Sequence, residues 1–409
     1  MKRSFLRFFL ICLATLPLSG FSADPQLDFV TERDKFCDDT FAYICQDAGK
    51  VLNAYRKERV ELSEKAMAQT LKQVGADLGR IGKELARLVV DATDTTKKKN
   101  LSIDADEIPQ FFKGLKVYLR QLEELSPLKK TQIDEAVEKI RKQHLDRIDK
   151  EPSFTREDKT AMKLAVTKVK VLSFQELFSF YEEQGIDWKR DANSAMEIYS
   201  GTVNSFGADL LANNASMKTF SIKKTYEEPG GKSKEVVEDY SAIFISPGAI
   251  FSMAVRGAKE PAVLSSTIAH EFGHAYDAGK FPKAYEKMNA CFATEFKASP
   301  EMIWSKLDGK AATTALSRNL LEFIADTSAA EVIGRSLEAE GISGTLRGIQ
   351  TLKTNLQAYC EEKAGRYPSG KFRIETAYGA NPMLRKIIGC KAKNLEPLTC
   401  TLEGRYPVK

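Results

Sequence analysis

Residues 267–277, TIAHEFGHAYD, contain two of the chain's three histidines, four residues apart, with a glutamate directly after the first. Residues at this spacing project from one face of an α-helix, so His270 and His274 could hold one cation together. Glu271 adjoins that face and could take a proton from a metal-bound water. Zinc lowers the pKa of such a water toward about 7, which generates hydroxide at neutral pH. The spacing therefore predicts a hydrolytic metal site.

A catalytic zinc normally takes three protein ligands, so the two histidines leave one position to fill. The remaining histidine, His144, lies in the charged segment EKIRKQHLDRIDKEP, which predicts a solvated helix face rather than a ligand. A carboxylate is therefore expected. Glu286 and Glu295 lie near the motif in sequence, but neither is followed four residues later by an aspartate. Glu322 is followed in this way, by Asp326.

Residues 320–326, LLEFIAD, place Glu322 and Asp326 on one face of a helix. Glu322 is predicted to bind the metal. Asp326 is predicted to accept a hydrogen bond from a ligand histidine, which would fix the tautomer and orientation of that ring. Two structural alternatives stand beside this prediction: histidines that only satisfy hydrogen bonds in the core, and an amphipathic helix with two incidental acids.

The elements that must position these residues are mainly helical. Residues 30 to about 200 have helical periodicity, interrupted by a polar stretch at 93–106 that predicts a loop. Residues 219–222 and 242–245 are predicted as strands, separated by the turn-forming residues 229–232, PGGK. From residue 261 to 340 the pattern is helical again. We expect an α+β protein that is mainly helical, with a small sheet just before the histidine motif.

The N-terminal residues 1–23 have the pattern of a secretory signal, with basic Lys2, Arg3 and Arg7, an apolar run and then small residues. The apolar run is too short to favour a membrane span, so we expect no stable membrane anchor after cleavage; an uncleaved anchor is the alternative. Removing the signal lowers the formal net charge from +5 to about +2 and leaves no long basic block. A nucleic-acid partner is therefore not expected. The chain is predicted to be secreted or periplasmic.

Seven cysteines occur, and Cys12 would leave with the signal. Six cysteines in an exported chain favour three disulfides, with fifteen possible connectivities. Thiol chemistry is the weaker alternative because no Cys-x-x-Cys pair is present.

Taken together, these residues resemble the neprilysin and endothelin-converting-enzyme family of zinc metallopeptidases. That family pairs a His-Glu-x-x-His helix with a later Glu-x-Ile-Ala-Asp helix, and Asp277 matches an aspartate that follows its second histidine. Residues 37–45, CDDTFAYIC, resemble the family's N-terminal Cys-x-x-Phe-x-x-Tyr-x-Cys segment, although Phe41 stands one place later. The resemblance covers about residues 30–50 and 240–400 and is absent over most of the helical region between them.

The resemblance implies a zincin-like catalytic domain at 201–409 and a reduced helical domain at 24–200, whose N-terminal segment is tied to the catalytic domain. It implies one zinc ion per chain, held by His270, His274 and Glu322. Mapping the family's disulfides onto the matching cysteines predicts the pairs Cys37–Cys390, Cys45–Cys360 and Cys291–Cys400.

Departures from the family concern the substrate site. The family's Asn-Ala substrate-binding motif has no clear counterpart before Ala242. Tyr367 stands where the family has a histidine that stabilises the tetrahedral oxyanion; a tyrosine hydroxyl is also a competent donor, and ordinary packing is the alternative. Arg373 matches the family's arginine near the substrate, with a surface salt bridge as its alternative.

The expected function is that of a secreted or periplasmic zinc-dependent endopeptidase acting on a peptide or protein substrate. Glu271 would be the general base, and the peptide would lie antiparallel to the strand near residues 242–246. Two alternatives remain. One is a zinc-binding family member that has lost turnover and binds proteins, and the other is an assembly factor whose charged helices bind a partner.

Overall fold

The computed structural model describes residues 25–90, 107–125, 130–173, 176, 179, 215–228, 232–245, 265–295, 312–363, 368–391, 400–402 and 404–405. This part of the chain is mainly helical with a small sheet, which confirms the expected fold class at that level. The described helices that precede the sheet are α1 (Pro25–Asp38), α2 (Thr40–Cys45), α3 (Ala48–Val90), α4 (Ile108–Leu125), α5 (Lys130–Lys150) and α6 (Arg156–Lys168).

Helix α5 turns one face into the core, and this face carries both apolar and polar residues. Its buried positions recur at helical spacing: Ala136, Val137, Ile140, His144, Arg147 and Ile148. The prediction that His144 lies on a solvated face is therefore wrong, because its exposed fraction is 0%. Most of the neighbouring charged residues lie outside this buried face, whereas Arg147 is buried on it beside His144.

The sheet contains β1 (Lys170–Ser173), β2 (Ala215–Glu228) and β3 (Lys232–Ile245) in the order β1-β3-β2. Strands β2 and β3 form the predicted antiparallel hairpin, from Ala215↔Ile245 to Glu228↔Lys232. Strand β1 pairs in parallel with the last four residues of β3. The end of β3 is therefore bonded on both sides, whereas β2 is an edge strand within the described residues.

After the sheet, the elements are again helical. They are α7 (Ser265–Gly273), α8 (Glu286–Glu295), α9 (Ala312–Ala339), α10 (Leu346–Leu356), a 3₁₀ helix (Gln357–Glu361), α11 (Gly370–Arg373), a π-helix (Ile374–Gly379) and α12 (Pro382–Ile388), followed by the two short strands β4 (Cys400–Thr401) and β5 (Gly404–Arg405).

Helix α7 lies between α5 and α9, and its contact with α9 is unusually close. A Cβ atom on Gly273 would lie 2.8 Å from the Cα atom of Ala325, well inside van der Waals contact. The glycine of the HEFGH motif therefore allows the two helices to approach each other. Residues 319–330 of α9 are buried apart from half-buried Leu321, as expected for a helix near the centre of a core.

One core of buried side chains extends from Phe29 in α1 to Leu402. It includes residues on both sides of the predicted domain boundary at residue 200. The boundary itself lies outside the described residues and stays a prediction.

Three disulfides confirm the predicted pairs Cys37–Cys390, Cys45–Cys360 and Cys291–Cys400. The first two fasten α1 and α2 to the C-terminal part of the chain. Disulfides of this kind are typical of an oxidising compartment. The predicted signal, residues 1–23, lies outside the described residues. Among the described helices, none has the length and apolar character needed to cross a bilayer.

Candidate metal centre

Helices α7 and α9 bring the two sequence motifs face to face. His270 lies in α7, His274 follows the end of that helix, and Glu322 projects from α9. The Nε2 atoms of the two histidines are 3.2 Å apart. Glu322 Oε2 lies 3.2 Å from Nε2 of His270, and Oε1 lies 3.7 Å from Nε2 of His274. His270 and Glu322 are buried and His274 is half-buried.

These separations fit one cation at the centre of the group. Tetrahedral ligands about 2.0–2.1 Å from a zinc ion lie about 3.3 Å from one another. Two imidazoles and a carboxylate suit zinc and several other first-row divalent ions. The group could therefore bind a metal ion, and the geometry does not select one metal among them.

Both histidines are oriented by carboxylates on their other ring nitrogen. His270 Nδ1 is 2.8 Å from Asp326 Oδ1, and His274 Nδ1 is 3.1 Å from Asp277 Oδ2. The other carboxylate oxygen of Asp277 accepts a bond from the backbone of Gly279. A proton on each Nδ1 leaves the Nε2 lone pairs directed at the cation position. The spacing of Asp326 predicted its contact, whereas Asp277 was singled out only by the family resemblance.

Arg373 lies in a buried ion-pair cluster rather than in a surface salt bridge. Its Nε and Nη2 atoms donate to the two oxygens of Asp326 at 2.7 and 2.8 Å. Its Nη1 atom donates to Glu362 at 2.9 Å, and its guanidinium lies over the ring of Tyr359. Sequence reasoning missed Glu362, which has no motif around it. Tyr367, the predicted oxyanion donor, lies outside the described residues.

The pKa values of the buried groups at this site depend on two opposing effects, burial and the charges of nearby side chains. Burial would lower the pKa of His270, but Asp326 and Glu322 outweigh it and raise that pKa to about 10. Burial would raise the pKa of Asp326, yet Arg373 and His270 hold it well below its usual range. A metal cation would therefore compete with a proton for Nε2 of His270.

Glu271 contacts the edge strand of the sheet. Burial raises the pKa of this carboxyl group, and its Oε2 atom accepts a hydrogen bond from the backbone N–H of Met217 in β2 at 2.5 Å. The prediction that a peptide pairs with the strand near residues 242–246 is wrong, because β1 and β2 already occupy both sides of residues 242–245. The strand edge beside the site belongs to β2. The sequence contains an Asn-Ala pair, Asn214-Ala215, at the start of β2 and not directly before Ala242.

A second buried polar cluster lies behind the histidine motif. Tyr276 OH is 2.7 Å from His144 Nδ1 and accepts a bond from Arg147 at 3.3 Å. Arg147 also pairs with Glu331 of α9 at 2.7 Å. Burial, assisted by the charge of Arg147, lowers the pKa of His144 to about 3. The cluster links α5 to the turn after α7 and to α9, and His144 does not belong to the group that could hold a metal ion.

Comparison of the chain with models of known protein families, with curated proteins and with solved structures gives no match. A function can therefore be inferred only from the residues and geometry of the site itself.

Proposed function

We propose that the protein is a zinc-dependent endopeptidase with a zincin-like catalytic domain, related to the neprilysin and endothelin-converting-enzyme family that its motifs resemble. The observation that supports this most strongly is the convergence of His270, His274 and Glu322 beside the carboxylate of Glu271. The residue types and their order along the chain are those of metallopeptidases that hydrolyse peptide bonds through an activated water.

A bound zinc ion would supply Lewis-acid chemistry, activating a water and polarising the scissile carbonyl. Glu271 would take the proton of the attacking water on its carboxylate and deliver it to the nitrogen of the leaving amine. The burial that raises the pKa of Glu271 favours this role, because a base with a higher proton affinity holds the proton between the two steps. Asp326 and Asp277 would keep the two imidazoles aligned throughout.

The substrate would bind as an extended peptide along the edge of β2 near Met217. An edge strand offers backbone N–H and C=O groups that can pair with another extended chain. The bond from Met217 to Glu271 supports this location, because the residue that would act as general base contacts the edge of β2. Backbone pairing would give affinity for many sequences, so we expect a substrate range wider than one peptide.

The proposal is tested by incubating the protein with a mixed library of peptides and identifying the products by mass spectrometry. Cleavage should disappear in the presence of a strong chelator and return on addition of zinc. The matched control is Glu322→Ala, which should bind no stoichiometric zinc and cleave nothing. Cleavage that is unaffected by the chelator would contradict a metal-dependent mechanism.

A second candidate is a zinc-binding protein that binds peptides without turnover. It is favoured by the tyrosine at position 367, where the family has its oxyanion histidine. The same library separates the two, because a binding protein would retain peptides in a zinc-dependent way and leave them intact.

A further inference from the structure

Glu362 is a partly exposed residue that makes two hydrogen bonds with α11, the helix that carries Arg373. It follows the 3₁₀ helix Gln357–Glu361, and its side chain is 40% exposed. Its carboxylate accepts a bond from Arg373 Nη1 at 2.9 Å, and its backbone carbonyl accepts one from Gly370 N, also at 2.9 Å. Glu362 is therefore attached to both the start and the end of α11.

The guanidinium of Arg373 connects Glu362 to Asp326 in the buried metal centre. The group is planar, so bonds from Nε and Nη2 to Asp326 and from Nη1 to Glu362 fix its plane as well as its position. The ring of Tyr359, 4.4 Å from the guanidinium carbon, supports one face. A change at Glu362 therefore affects how Arg373 presents its other two nitrogens to Asp326.

Asp326 Oδ1 is shared between Arg373 and the metal-ligand histidine. It lies 2.8 Å from Arg373 Nη2 and 2.8 Å from His270 Nδ1. An arginine whose charge is balanced only by Asp326 would draw the negative charge of that carboxylate toward itself. Glu362 neutralises part of the positive charge of Arg373, so Asp326 remains a better hydrogen-bond acceptor for His270. A stronger bond at Nδ1 makes Nε2 a more basic ligand.

We propose that Glu362 is a positioning residue for the metal centre, acting through Arg373 and Asp326 on His270. This role rests on the metal centre of the proposed function. It requires neither peptidase activity nor a particular substrate, since metal affinity alone reports it. A purely structural ion pair would instead affect the free energy of unfolding without a selective effect on metal binding.

The test measures zinc affinity by competition with a chromophoric chelator at fixed pH. Glu362→Ala should weaken zinc binding about three- to tenfold, less than the roughly 10–100-fold loss expected for Asp326→Asn. Glu362→Gln keeps an acceptor for Arg373 and should lie between wild type and Glu362→Ala. The matched control is Glu361→Ala, which removes the same charge from the preceding residue and should change zinc affinity by less than about twofold.

A double variant shows whether Glu362 acts through Asp326. Arg373 Nη2 also lies 3.4 Å from His270 Nδ1 and 4.0 Å from Glu322 Oε2. In the Asp326→Asn background, Glu362→Ala should therefore reduce zinc affinity clearly less than it does in the wild-type background, because the main link from Arg373 to His270 is weakened. Additive losses, or equal losses in Glu362→Ala and Glu361→Ala, would overturn the proposal in favour of a general charge effect. Absence of zinc binding by the wild-type chain would contradict the proposed metal centre itself, and this role with it.

Discussion

Acidification should destabilise the protein through His144, which is buried between α5 and the histidine motif. In the folded chain its pKa is lowered to about 3, whereas an unfolded histidine titrates near about 6.5. Between these values the unfolded chain binds one proton that the folded chain excludes. The contribution of neutral His144 to the free energy of unfolding is therefore fully present above about pH 6.5 and is lost as the pH falls toward 3.

The magnitude follows from the width of that window. One proton of difference changes the free energy of unfolding by about 1.4 kcal/mol per pH unit. From pH 7 to pH 5 this amounts to a loss of about 2 kcal/mol for His144 alone. Other titrating groups add their own dependence, so the comparison must be made against a variant that differs at this position only.

His144→Asn supplies that comparison, because its amide oxygen can accept the bond from Tyr276 without titrating. Urea unfolding followed by circular dichroism, in chelator at pH 7 and pH 5, should give a smaller acid loss for the variant by about 2 kcal/mol. The variant will be less stable than wild type at pH 7, because it leaves a cavity. Equal acid losses in the two proteins would refute a buried, neutral His144.

Three further predictions concern the packing around the metal ligands. Gly273→Ala should push α7 away from Ala325, lower the free energy of unfolding by about 1–3 kcal/mol and weaken zinc binding, as measured by unfolding and chelator competition. Asp277→Asn should weaken zinc affinity about 10–100-fold in the same competition assay, because it loosens His274, while the far-ultraviolet spectrum stays unchanged. Reduction of the three disulfides should lower the melting temperature, since each contributes about 2–4 kcal/mol; an unchanged melting temperature would contradict their role in fastening the N-terminal helices.

The candidate metal-binding group could be predicted from sequence because the spacing within each motif is local. His270 and His274 share a face whenever their segment is helical, and the same holds for Glu322 and Asp326. The contact between α7 and α9 is not local. It depends on the close approach that Gly273 allows, which no periodicity reveals. The disulfide pairs were reached through the family resemblance, since cysteine spacing alone leaves fifteen connectivities.

Two predictions are wrong for physical reasons: the exposure of His144 and the pairing of a peptide with β3. The charges around His144 predict a solvated face, yet Ile140 and Ile148 lie four residues on either side and mark its face as buried. A peptide site on β3 is wrong because β1 pairs with the last four residues of that strand. Four residues that pair in parallel across a long separation leave almost no local signal.

The proposed role of Glu362 could not be predicted from the sequence. Its role depends on the orientation of Arg373, which in turn is set by Asp326 and the ring of Tyr359. These contacts join three separate segments, so they exist only once the chain has folded.

The most direct test of the proposed function is the Glu271→Gln variant, analysed for zinc content and for cleavage of a peptide identified in the library. We expect one zinc per chain in both proteins and cleavage by wild type only, because the variant keeps the three proposed ligands and loses the proposed base. Full peptidase activity in Glu271→Gln would contradict the proposed mechanism.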